Sequence, residues 1–412
     1  MEIYQIIAVL LTFSAVFSFL NYRFLKWSSS VGVMLISLVF SLCLMTLWHF
    51  GIGFEKQEMY QLMESIDFEK VMLGVLLGLL LFAGSLHIEI NDLLEKKVEI
   101  SILSTVGVLM STLIVSVLTY LVTAAIGHNL KYIYCLLFGA LISPTDPIAV
   151  LGILRKLGIP KSLETKIAGE SLFNDGIGVV LFLTIFGIAI GGNDSGVIPA
   201  AILFIKEILG GIALGIITGW IAYRMLRVVY DYNVEVLITI ALAVGGYSLA
   251  SSLHISAPLA IVVAGLLIGN YGRRFAMSKK TREHLDKFWE LVDYILNTLL
   301  YVLIGLEVII IPLTGNHILK MVLAIPIVLL ARFISVGVPI CILKSFRQFS
   351  RNAVTVLTWG GLRGGISVAL ALSIPRGFER DIILTMTYAV VIFSVLVQGM
   401  TIGKLIEKNP VE

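Results

Sequence analysis

Gly169-Glu170-Ser171-Leu172-Phe173-Asn174-Asp175 places two carboxylates, an amide and a hydroxyl early in an apolar stretch running from about Ile167 to Ile190. A charged side chain at the centre of a bilayer costs about 2.5–3.5 kcal/mol on insertion scales. Helical spacing makes Ser171 a neighbour of Asp175, and Glu170 a neighbour of Asn174, each pair four residues apart. The result is a wet, anionic stripe on a helix that is otherwise Leu, Val, Ile and Phe. A carboxylate that merely pairs and locks helices together is the plainer reading. It suits Glu170 better than Asp175, which has the Ser171 and Asn174 oxygens beside it. An oxygen-rich, anionic, membrane-buried group is a site for a small cation or a proton.

The rest of the chain supplies the membrane setting. Of 412 residues, 58% are hydrophobic and 14% charged, whereas soluble chains carry about 25% charged residues. The expected class is an all-α polytopic membrane protein with no soluble appendage, no nucleotide loop and no nucleic-acid surface. The first segment, Ile3 to Leu20, lacks the basic leader of a cleavable signal peptide. Cys43, Cys135 and Cys341 lie in apolar stretches without metal spacing and read as small core residues.

At about 20 residues per crossing, about thirteen spans are expected. They fall near 3–22, 31–50, 70–89, 98–126, 130–154, 165–190, 198–223, 233–252, 257–271, 287–311, 317–343, 352–374 and 381–403. The acidic segment Gly51–Glu69 reads as an external loop. With these spans, 21 basic residues fall in the loops of one side and 6 in those of the other. The richer side includes Lys96, Lys97, Lys161, Arg224, Arg227 and the run Arg273–Lys287. Basic loops stay in the cytoplasm, which puts the N-terminus outside and the C-terminus inside. Lys206, Arg332 and Arg363 belong to neither side. The last two lie within spans and need buried partners or water.

Two further stretches break the apolar pattern. In Ser143-Pro144-Thr145-Asp146-Pro147, each proline lacks an N–H and pushes the preceding residue out of the α region. An ordinary kink is the plain reading. Two prolines bracketing an acid favour a helix interrupted at mid-membrane, with carbonyls near Thr145 and the Asp146 carboxylate facing a cavity. In Trp359-Gly360-Gly361-Leu362-Arg363-Gly364-Gly365, four glycines around one arginine predict a second interruption. If spans one to six and eight to thirteen are inverted repeats, the two breaks cross at the midplane, as at transporter sites. Asp146 would then offset the N-terminal half-helix dipoles and Arg363 the C-terminal ones.

Together these stretches resemble the NhaP-type sodium/proton antiporters of the monovalent cation:proton antiporter superfamily, the branch that includes the eukaryotic sodium/hydrogen exchangers. The resemblance spans nearly the whole chain. Phe288-Trp289 and Tyr301–Glu307 are also similar to the family. It implies a thirteen-helix fold with a core bundle of spans 4–6 and 11–13. It also implies a dimerisation part of spans 1–3 and 7–10, homodimers in the cell membrane, and electroneutral exchange of Na+ (or Li+) for H+ without a cofactor. By the same resemblance Asp175 is the ion- and proton-binding carboxylate and Asn174 the asparagine that marks this branch. Ser171, Thr145 through its backbone oxygen, and Asp146 are cation ligands. Glu170 is a structural glutamate paired with an arginine, Arg332 by preference and Arg363 second. The chain departs from the family in the third span. There Leu81-Phe82-Ala83-Gly84 lacks the acidic residue many members carry, and Glu89 lies too near the cytoplasmic end to replace it.

Three other readings share parts of this pattern. A K+/H+ antiporter would use the same oxygens with a different cavity size. An intramembrane aspartyl protease would also need two buried aspartates, but the Gly-x-Gly-Asp stretch of such proteases is absent around Asp146 and Asp175. A channel would want rings of carbonyls or charges from several subunits. The histidines are scattered and single out no pH sensor, and Glu307 and Asp293 read as packing or interface residues.

Overall fold

A backbone inside a bilayer must satisfy its own hydrogen bonds, which leaves helices as the way for apolar stretches of this length to cross. The computed structural model describes residues 3–50, 76–127, 130–146, 150–152, 154, 158–191, 197–310, 315–346, 349 and 352–408. Every regular element in them is helical. The acidic segment Gly51–Glu69 and Pro147 lie outside the described residues.

In chain order the elements are α1 (Ile3–Leu20), α2 (Ser29–His49), α3 (Leu77–Leu86), α4 (Ile90–Glu95), α5 (Lys97–Ala125), α6 (Tyr132–Ile142) and α7 (Lys161–Gly191). There follow α8 (Val197–Leu226), α9 (Tyr232–Ser252), α10 (Ala257–Leu267) and α11 (Lys279–Glu307). The last are α12 (Gly315–Leu343), α13 (Ala353–Trp359), α14 (Gly365–Leu372), α15 (Phe378–Phe393) and α16 (Gly399–Lys408). Among the described residues, nine helical stretches are long and apolar enough to cross a membrane, and α3 and α6 are shorter apolar helices.

Helix starts follow capping chemistry. Ser278 accepts from the Thr281 N–H at 3.1 Å and so begins α11 at Lys279. The sequence places that span at 287–311 and leaves Arg273–Lys287 as a loop. The charged residues instead wind into the first turns of a long amphipathic helix, because the cap and the helical spacing of Leu285 and Trp289, both fully buried, outweigh the charge density.

Packing is set by small residues where backbones meet. Gly211, Gly215 and Gly219, four apart on α8, lie against Ser256, which caps α10, and Ala260 and Ala264 within it. Gly139 of α6 lies against the Thr112 backbone of α5. Ser37 and Ser41 of α2 donate to the carbonyls of Val302 and Gly305 on α11, at 2.9 and 2.8 Å. The helices α5, α6, α7, α12, α13, α14 and α15 pack mainly among themselves, as do α1, α2, α3, α8, α9, α10 and α11. The two groups meet along a cavity of about 520 Å³.

Candidate functional site

Helix α6 stops at Ile142 and residues 150–152 are helical again, while α13 stops at Trp359 and α14 starts at Gly365. Both interruptions fall where proline and glycine remove the means to continue a helix. They meet directly. The Asp146 N–H donates to the Leu362 carbonyl at 2.8 Å, backbone to backbone. Arg363 Nη1 donates to the carbonyls of Ser143 and Pro144 at 2.5 and 2.8 Å, capping the C-terminal end of α6. The Asp146 carboxylate lies against Gly364 at the N-terminus of α14, where an added Cβ would come within 2.5 Å of its Oδ2. Each charge therefore sits at the half-helix end of opposite partial charge.

Helix α7 runs beside this crossing. Asn174 Nδ2 donates to Thr145 Oγ1 at 2.8 Å, and the Thr145 N–H donates to Asn174 Oδ1 at 3.2 Å. Thr145 Oγ1 and Ser171 Oγ share a hydrogen bond of 3.0 Å. The amide of Asn174 thus satisfies the N–H and the hydroxyl of Thr145, which lets that residue stay unwound in a dry place. Gly178 leaves room for the Pro144 ring, with which any Cβ would collide. Thr145, Ser171, Asn174 and Asp175 are all buried. Asp175 and Asp146 both line the cavity, which reaches from the crossing toward the end of the molecule where α3 stops and α7 and α11 begin.

Glu170 points the other way around α7. Its Oε1 accepts from Arg332 Nη1 of α12 at 2.5 Å, with the side chains 1% and 7% exposed. Arg332 Nη2 also donates to the Leu357 carbonyl at 3.2 Å in α13. Arg363 is held apart from this pair by its own carbonyl partners.

Several contributors carry little signal in the sequence. Tyr301 of α11 donates to Asp146 Oδ2 at 3.1 Å. Ser394 accepts the Arg363 N–H at 3.1 Å and donates to Gln398 at 2.5 Å, and Gln398 Nε2 donates to the Trp359 carbonyl at 3.1 Å. A hydroxyl and an amide four apart in the last apolar span were the one available hint. Glu290, Asp293 and Asn297 of α11 line the cavity, as does His87. Glu89 is held by Lys161 at 3.1 Å, and Asp92 by the same lysine at 2.9 Å.

The profile of the transmembrane sodium/hydrogen exchanger family matches residues 7–408. The chain belongs to the sodium/hydrogen exchanger family. Within it, the chain is 47% identical over 408 residues to the Na+/H+ antiporter NhaP of Pseudomonas aeruginosa, covering 98% of this chain and 96% of that one. It is 36% identical over 394 residues to the Na+/H+ antiporter NhaH of Halobacillus dabanensis, covering 94% and 93%. Among solved structures, the sodium proton antiporter MjNhaP1 from Methanocaldococcus jannaschii at pH 8 superposes with a TM-score of 0.76. That match covers 99% of both chains at 18% identity, which is a likeness of fold. Exchangers are secondary transporters, so the protease reading of the two aspartates is set aside.

Proposed function

We propose that the chain exchanges Na+ (or Li+) for H+ by alternating access, with Asp175 as the carboxylate that binds either. The observation that carries this reading is the position of Asp175. It is buried, lines the cavity, and lies one helical turn from Ser171, which is bonded to the unwound Thr145. A hard cation leaving water wants such oxygens, by analogy with other hard ions. Ser171, Thr145 and Asp146 complete the set with water. Asn174 holds the break open, and the Glu170–Arg332 pair fixes α7 against α12.

Competition at one carboxylate couples the two ions. Burying an ionised carboxylate uncompensated costs several kcal/mol. A penalty of about 4 kcal/mol slows a step roughly a thousandfold. The charged, empty site therefore stays in place, and the site neutralised by Na+ or H+ moves. One charge travels each way, so exchange is electroneutral and needs no cofactor. The named relatives are sodium/proton antiporters, and the potassium alternative has no support among them.

The division of labour follows the packing groups: α5–α7 with α12–α16 move, and α1–α3 with α8–α11 form the static, dimerising part. Thirteen crossings, the N-terminus outside, the C-terminus in the cytoplasm, a homodimer and the cell membrane complete the proposal. The basic loops support the orientation. The test is a dye-monitored pH gradient in vesicles on addition of Na+, Li+ or K+. Wild-type protein dissipates the gradient with Na+, and Asp175→Asn does not. Exchange that survives Asp175→Asn ends the assignment.

A further inference from the structure

The α11 wall of the cavity carries polar groups that the exchange chemistry leaves unused. Asp293 and Asn297 are four residues apart on one helix face, and both line the cavity. Asn297 is 5% exposed. Its Nδ2 donates to the Asp293 carbonyl oxygen at 2.9 Å, which fixes the amide so that Oδ1 is left as the acceptor. That oxygen is buried and has no hydrogen-bond partner among the described residues. A buried acceptor left bare is costly, and a bound ion would satisfy it. The surroundings favour a cation: Asp146, Asp175, Glu290 and Asp293 all line this cavity, and no lysine or arginine does so among the described residues. A low-dielectric cleft lined by one sign of charge concentrates the counter-ion.

We propose that the Asp293 carboxylate and Asn297 Oδ1 form a second, weaker monovalent-cation site on the α11 wall, from which the ion passes to Asp175. The inference rests on the exchange reading above. The site stands on the helix group proposed to stay still, while Asp175 stands on the group proposed to move. An ion waiting at Asp293 therefore raises the local supply to Asp175 without itself being carried. Water completes its shell, as expected for a site with two protein oxygens.

Two measurements test it. Calorimetric titration of detergent-solubilised protein with Na+ at alkaline pH reads binding directly. Asp175→Asn is expected to keep a weak Na+ signal, and Asp175→Asn combined with Asp293→Asn to lose it. In vesicles, Asp293→Asn is expected to raise the half-saturating Na+ concentration about tenfold, well beyond its effect on maximal rate. Asn297→Leu shifts it in the same direction, and Asp293→Glu restores most of it. Loss of all Na+ binding in Asp175→Asn overturns the second site. So does an Asp293→Asn protein that is poorly produced or slow but keeps the wild-type half-saturating concentration, since that is the mark of a structural carboxylate. Exchange persisting in Asp175→Asn would instead refute the exchange reading.

Discussion

Removing one partner of the Glu170–Arg332 pair gives the sharpest test of the helix arrangement. In Glu170→Ala the Arg332 guanidinium, 7% exposed, keeps the Leu357 carbonyl at 3.2 Å, and its Nε has no partner among the described residues. Stranding one member of such a pair costs about 3–5 kcal/mol. That is a large part of the roughly 5–15 kcal/mol that holds a typical fold together. The expected outcome is lower yield from membranes and a clearly lowered melting temperature in detergent, followed by scanning fluorimetry. Arg332→Ala should cost a similar amount, because it strands Glu170 at 1% exposure. Replacing both by leucine removes the stranded charge, and apolar replacement of a buried pair is often neutral. The Leu357 carbonyl still loses its donor, at about 1–3 kcal/mol for a buried group. The double variant should therefore recover most, not all, of the loss. Single variants with wild-type melting and yield would refute the pairing as a structural element. A double variant whose loss equals the sum of the two singles would refute the coupling.

Arg363→Leu bares the Ser143 and Pro144 carbonyls, at about 1–3 kcal/mol each. It should lower both melting temperature and exchange, and Arg363→Lys should restore only part, since a point charge replaces a fork of donors. Gly364→Ala forces the Asp146 carboxylate off the N-terminus of α14. Vesicle assays should show exchange reduced far more than yield. Tyr301→Phe removes a hydrogen bond to a carboxylate, a contribution of about 1.5–3 kcal/mol, and should shift the half-saturating Na+ concentration while leaving yield intact. If one carboxylate serves both ions, raising proton concentration should raise the half-saturating Na+ concentration and leave the maximal rate alone. Lys161→Ala is the control. Its partners Glu89 and Asp92 sit at the surface, and an exposed bridge contributes less than about 1 kcal/mol.

The parts legible in the sequence are those encoded locally. Proline at 144 and glycines at 360, 361, 364 and 365 mark the two interruptions because they act on their own backbone. The polar stripe of α7 follows from four-residue spacing alone. What the sequence hides is long-range register. Tyr301 meets Asp146 across 155 positions, and one more aromatic in an apolar span carries no sign of it. The choice between Arg332 and Arg363 for Glu170 depends on which face each arginine presents, and apolar flanks on all sides conceal that. Asp293 lies in an apolar span, and its sequence neighbours do not say which way it faces; the cavity lining does.

The clasp between the Asp146 amide and the Leu362 carbonyl has a consequence for how such a molecule diverges. Its atoms belong to the main chain, so side-chain replacement short of proline leaves both groups in place. Ion preference can drift through the neighbouring hydroxyls, amides and carboxylates while the junction that presents them persists. Scaffold and selectivity are thus free to change at separate rates.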